Sequence, residues 1–145
     1  MDYVCDASKG RTWFRIANAA EAAAESALMD HAVEKHFLRE ENRARQSYVP
    51  TSPIYIEQEI GLKNHIRRAM PMFLTLRDAQ GNGLATAMLP PGGKEEPGFR
   101  IIIVGPGNRD PYPDHAEAIE ALGRHYRLSL ERDRCYPYGS GRGEY

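Results

Sequence analysis

Hydrophobic and polar positions along the chain change period several times, and each change marks an element. Residues 3–6 and 11–17 read as two short strands around Ser8-Lys9-Gly10, whose glycine tolerates the positive φ of a turn. In the second strand Trp13 and Arg15 share one face, and Phe14 and Ile16 the other. The latter pair is the more apolar and is expected to face the core.

The period then becomes helical. Asn18 followed by Glu21 has capping-box spacing, and alanines at 19, 20, 22, 23, 24 and 27 favour a helix. Met29, Val33 and Phe37 recur every four residues, which predicts one long helix with these side chains buried. It is expected to fray over the charged residues 39–45, with Pro50 and Pro53 ending regular structure. Residues 54–70 carry both signals. Ile54, Ile56 and Ile60 fit alternation, whereas Ser52-Pro53 fits a helix start, and the balance favours a helix over about 57–69 that Met70-Pro71 stops.

Two apolar runs, 72–77 and 84–89, flank Gln80-Gly81-Asn82-Gly83 and predict a β-hairpin. A Pro/Gly-rich loop over 90–98 leads to a further strand over 99–104. Its Ile-Ile-Ile-Val run suggests burial on both faces and a central place in the sheet. Asp114 and Glu117 have capping-box spacing at the start of a last helix, with Ile119, Leu122 and Tyr126 as its stripe. Residues 128–135 fit a short strand. The expected fold class is α+β: a single domain over 1–135, with a mostly antiparallel four- to five-stranded sheet packed with two or three helices. Residues 136–145 are expected to be a flexible Gly/Tyr-rich tail.

Composition narrows the function classes. With 145 residues, 41% apolar and 27% charged, the chain has the content of a globular domain able to bury a core. A formal charge of −1 removes the long-range drive toward nucleic acid or anionic lipid. No leader-like or membrane-length apolar run occurs, so a cytoplasmic protein is expected. Cys5 and Cys135, near opposite ends, are expected to be free thiols.

The candidate ligand-binding stretch is the loop carrying Gly105, Gly107, Asn108, Arg109, Tyr112 and His115. Two glycines permit close approach to the backbone, Arg109 can hold a carboxylate or phosphate, and His115 can orient it or exchange a proton. The loop has neither the GxGxxG nor the GK[ST] pattern of phosphate-binding loops. His31 and Glu34 share a helix face, while His36, five residues from His31, points elsewhere on a continuous helix. No HExxH, CxxC or GxSxG occurs, so no catalytic residue, metal or cofactor is expected. Arg124, Arg127, Arg132, Arg134 and Arg142, interleaved with Tyr126, Tyr136 and Tyr138, are the nucleic-acid candidates, the weakest reading at this charge balance. The leading expectation is an accessory domain that self-associates or binds a protein partner. The alternative is a small-molecule- or anion-binding protein, with an enzyme left open, built on the 105–115 loop.

Overall fold

The computed structural model describes residues 1–139. Five strands pair antiparallel in the order of the chain: β1 (Asp2–Asp6), β2 (Thr12–Arg15), β3 (Met72–Arg77), β4 (Gly83–Leu89) and β5 (Ile102–Val104). Three helices are inserted between β2 and β3: α1 (Ala19–Met29), α2 (Val33–Gln46) and α3 (Tyr55–Ala69). A fourth, α4 (Tyr112–Tyr126), follows β5. The α+β class is as expected, with five strands and four α-helices among the described residues, in one domain.

Alternation along the strands separates two cores. Trp13, Leu74, Leu76, Ala87, Leu89 and Ile103 meet Ala118, Ile119 and Leu122 of α4 on one face. Ile16, Phe73 and Met88 meet Ala22, Val33, Phe37 and Ile66 of the inserted helices on the other. Because helices cover both faces, Ile16 is buried on the expected face while Phe14 stays half-buried, and Trp13 on the opposite face is buried completely against α4.

The hairpin forms as expected. Its loop is organised by Asp78, whose Oδ1 accepts from the Gln80 and Asn82 amides at 3.0 and 2.9 Å. Helix α3 also forms and starts two residues earlier than expected.

Five local expectations need correction. The single long helix is two, because Asp30 adopts the left-handed region (φ 52°) and turns the chain between α1 and α2. The Asn18 cap holds, and Met29, Val33 and Phe37 are all buried, but from two helices. Beyond Phe37, α2 runs to Gln46 without fraying, since Glu40 pairs with Arg39 and Arg43 and Ala44 is buried. Strand β5 lies at the sheet edge; its apolar run arises because Ile103 enters the α4 core while Ile102 and Val104 wall a cleft. Helix α4 starts at Tyr112, not Asp114. Asp110 accepts from the Tyr112 amide at 3.0 Å, and Glu117 turns instead to Ser8. Residues 128–135 form no strand: Leu128 and Leu130 plug the α4 core, and a short turn follows.

Of the expected tail, 136–139 run beside β5, where the Tyr136 amide donates to Ile101 O at 2.8 Å and Tyr138 stacks edge-on against Tyr112. Residues 140–145 lie outside the described residues. Cys5 and Cys135 are not bridged.

The chain leaves α4 by folding back over Gly123. Arg127 takes the left-handed region and the Leu128 amide donates to Gly123 O at 2.8 Å. A Cβ at Gly123 would lie 2.7 Å from Leu128 O, a backbone atom that cannot swing away. Gly123→Ala should therefore destabilise the fold by about 1–3 kcal/mol, although alanine is intrinsically better in a helix by about 1 kcal/mol. Urea denaturation reads the sign directly.

Candidate functional site

The turn between α1 and α2 decides where chemistry gathers. Extending the buried series Met29, Val33, Phe37 back by one helical turn lands on Glu25, which is fully buried. A buried carboxylate needs partners, and Glu25 has two. Its Oε1 lies 2.6 Å from an Arg77 guanidinium nitrogen, and its Oε2 accepts from Thr86 Oγ1 at 2.6 Å. Arg77 is steadied by Thr75 Oγ1 at 3.1 Å, and Thr75 faces Thr86 across β3 and β4.

Thr86 passes the chain on to His31, whose Nε2 lies 2.9 Å from Thr86 Oγ1. A carboxylate only accepts, so the single Thr86 proton goes to Glu25. The hydroxyl lone pair then takes a proton from His31 Nε2–H. Neutral His31 thus carries its hydrogen on Nε2 and keeps Nδ1 as an acceptor. Burial holds its pKa below the ordinary value, partly offset by its own backbone carbonyl, Glu25 and Asp30.

His31 opens onto a cleft of about 340 Å³ between the start of α2 and the β4–β5 edge. Val33, Phe73, Met88, Ile102 and Val104 supply apolar walls, and Tyr136 and Pro137 close one side. The polar groups are His31, His36, Thr86, Asn108 and Tyr136, and among the described residues no Lys, Arg, Asp or Glu lines the space. His36 accepts from Arg39 at Nδ1 (2.9 Å), which leaves Nε2–H as a donor. Its pKa is also lowered, by burial first and then by Arg39 and Lys35. The two histidines line one cleft because the break at Asp30 re-aims them. On an unbroken helix, five residues would separate their directions.

The 105–115 loop is only partly represented here. Gly107 and Asn108 both take left-handed φ (63° and 62°), and Asn108 reaches the cleft. The other candidate residues are engaged elsewhere. The Gly105 amide donates to Arg109 O at 2.7 Å, and Arg109 Nε donates to Pro106 O at 3.0 Å. The Tyr112 hydroxyl donates to Leu130 O at 2.8 Å, and burial first, then its hydrogen bond with Cys135, raises its pKa far above normal. His115 lies against Arg11, whose guanidinium donates to Nδ1 at 3.0 Å. Burial, then Arg11, lowers its pKa. The loop therefore does not gather its six candidate residues around one ligand.

The remaining sequence candidates are dispersed. Arg124, Arg132 and Arg134 pair with Glu120, Asp110 and Glu95, which neutralises each locally, and Arg142 lies outside the described residues. Among the described residues, no group of three or more His, Cys, Asp or Glu could hold a metal ion, and no helix is long and apolar enough to cross a membrane.

Sequence reasoning missed Glu25, Thr86 and Arg77. The only local signal was an acid in register with an apolar helical stripe. No family model, curated protein or solved structure matches the chain.

Proposed function

We propose that the protein binds a small, uncharged, mostly apolar molecule in the cleft beside His31. The reading rests on the Glu25–Thr86–His31 chain, a buried polar relay that ends at a mostly apolar concavity. Most ligand sites have this composition, with apolar walls and a few placed polar groups, and their volumes begin near 300 Å³. Among the described residues the lining has no charged side chain, so it suits a neutral ligand better than the anion expected at Arg109. A ring or short chain bearing one acceptor and one donor matches His36 Nε2–H, His31 Nδ1 and the Asn108 amide. This keeps the small-molecule reading of the sequence and moves its centre from the loop to the cleft that the loop borders.

The test is a melting-temperature screen of the full chain against neutral fragments such as phenol, indole, quinoline and hexanol. A fragment at a hundredfold its Kd stabilises the folded state by about 2.7 kcal/mol. The expected shift is lost in Val104→Trp, which fills the cleft from its wall. His31→Ala weakens binding about tenfold, the value of one hydrogen bond near 1.4 kcal/mol. Binding that uses neutral His31 should hold above its ordinary pKa of 6.5 and fall as acid protonates the ring below that value, because burial lowers the folded-state pKa. A shift that persists in folded Val104→Trp, or no shift with any fragment, removes this reading.

A further inference from the structure

Helix α3 is the one helix among those described with no buried residue. Its inner side is tethered by Ile66, which packs on the core, and by His65, whose Nε2 lies 2.7 Å from Ser47 Oγ. Its outer side is apolar where a solvated helix would be polar. Ile54, Tyr55, Ile56 and Ile60 each leave more than half of their surface in solvent, as does Val49 in the preceding segment. A single exposed isoleucine is ordinary. Four large apolar side chains within seven residues form the kind of patch that marks an interaction surface.

The charges on α3 are sorted along its axis. Glu57 and Glu59 lie in the first half, and Lys63, Arg67 and Arg68 in the second. We propose that this face joins two copies of the chain, with α3 packed antiparallel against α3 about a twofold axis near Ile60. Antiparallel pairing is the arrangement that sets an acidic half against a basic half, and a twofold contact makes each such pair occur twice. With Ile60 on the axis, the register sets Glu57 against Lys63 of the partner subunit. Among the described residues Lys63 makes no ion pair or hydrogen bond within its own chain, so its charge is available. Ile56 and Ile60, one turn apart, form the apolar seam. A 15-residue helix is about 22 Å long. A seam of that length reaches the roughly 800 Å² per partner of a stable interface only if Val49, Ile54 and Tyr55 also close over it. The dimer is accordingly in the micromolar range. The surface is separate from the His31 cleft, so the two proposals stand or fall independently.

Sedimentation equilibrium of the full chain up to about 100 µM, some hundredfold above a micromolar Kd, tests it. The wild type should be mostly dimeric at that concentration, and Ile60→Glu should be monomeric with an unchanged circular dichroism spectrum. Because Ile60 is exposed, the variant is expected to fold. Glu57→Lys and Lys63→Glu should each weaken the dimer about tenfold, and the double variant should recover most of the loss. A wild type that remains monomeric, or a dimer that survives Ile60→Glu, overturns the proposal. Sensitivity to Ile60→Glu without recovery in the charge swap overturns the antiparallel register.

Discussion

Glu25→Ala is expected to cost about 3–5 kcal/mol of folding stability, the penalty for removing one partner of a buried ion pair. Total stability for a domain of this size is about 5–15 kcal/mol, so the variant should sit near the edge of folding. The cost has three sources. Arg77, mostly buried at the rim of the α1 contact, loses its carboxylate and retains only the Thr75 hydroxyl. Thr86 loses the acceptor for its proton inside the protein, and a space opens where the side chain was. Alanine's better helix propensity returns only a few tenths of a kcal/mol. Glu25→Gln separates charge from shape. It preserves volume and an acceptor for Thr86 but leaves Arg77 without a negative partner, and about 1–3 kcal/mol is expected. Urea titrations with an unchanged m-value would measure both. If Glu25→Ala unfolds within about 0.5 kcal/mol of the wild type, the range of a neutral surface substitution, the buried relay does not exist as described. The proposed cleft then loses its support.

Trp13→Ala should cost about 3–5 kcal/mol by a different route, the loss of a large buried aromatic side chain. Trp13 is fully buried between the sheet and α4, and its indole N–H donates to Ala118 O at 2.8 Å. That bond ties the second strand to a helix 105 residues away. Trp13→Phe retains most of the apolar volume and removes the bond. Ala118 O can still serve the helix, so the expected cost is smaller, about 1–2 kcal/mol. Trp13 is the only tryptophan, so wild-type emission should be blue-shifted when folded and move to the red on unfolding. The variants are followed by circular dichroism. An equal cost for Phe and Ala would mean that the hydrogen bond, not packing, holds α4 in place.

Acid should act on the same structure through its histidines. His31, His36 and His115 all have lowered pKa values in the folded state, each with burial as the first cause. A histidine held neutral by burial contributes stability above its unfolded pKa of about 6.5. That contribution is lost as pH falls through the lower folded value.

Much of the fold was legible because it depends on neighbours in sequence. The hairpin at residues 80–83, the Asn18 cap, the stop at Met70-Pro71 and the buried series Met29, Val33, Phe37 all follow from local turn chemistry and helical spacing. The exposed isoleucines of α3 were visible as well, but a strand and an unpartnered helix share that pattern until tertiary packing chooses between them. The break at Asp30 was not legible, since no glycine or proline marks it. That one left-handed residue brought His31 and His36 to the same cleft. Asp114 illustrates the limit of a motif: its capping-box spacing was correct, yet Asp110 captured the helix start and Glu117 was drawn to Ser8.

The candidate site lay beyond sequence reading for a plainer reason. Thr86 lies 61 residues from Glu25 and 55 from His31, and no periodicity links positions at such separations. By itself the sequence determined the class of the fold, most element types and the residues of the helical stripe, because backbone propensity and side-chain period act over one or two turns. Only the tertiary structure decided which strand formed the edge, which face buried Trp13 and which polar groups met. Those outcomes depend on how helices cover both faces of the sheet, and burial of one segment is set by another far along the chain.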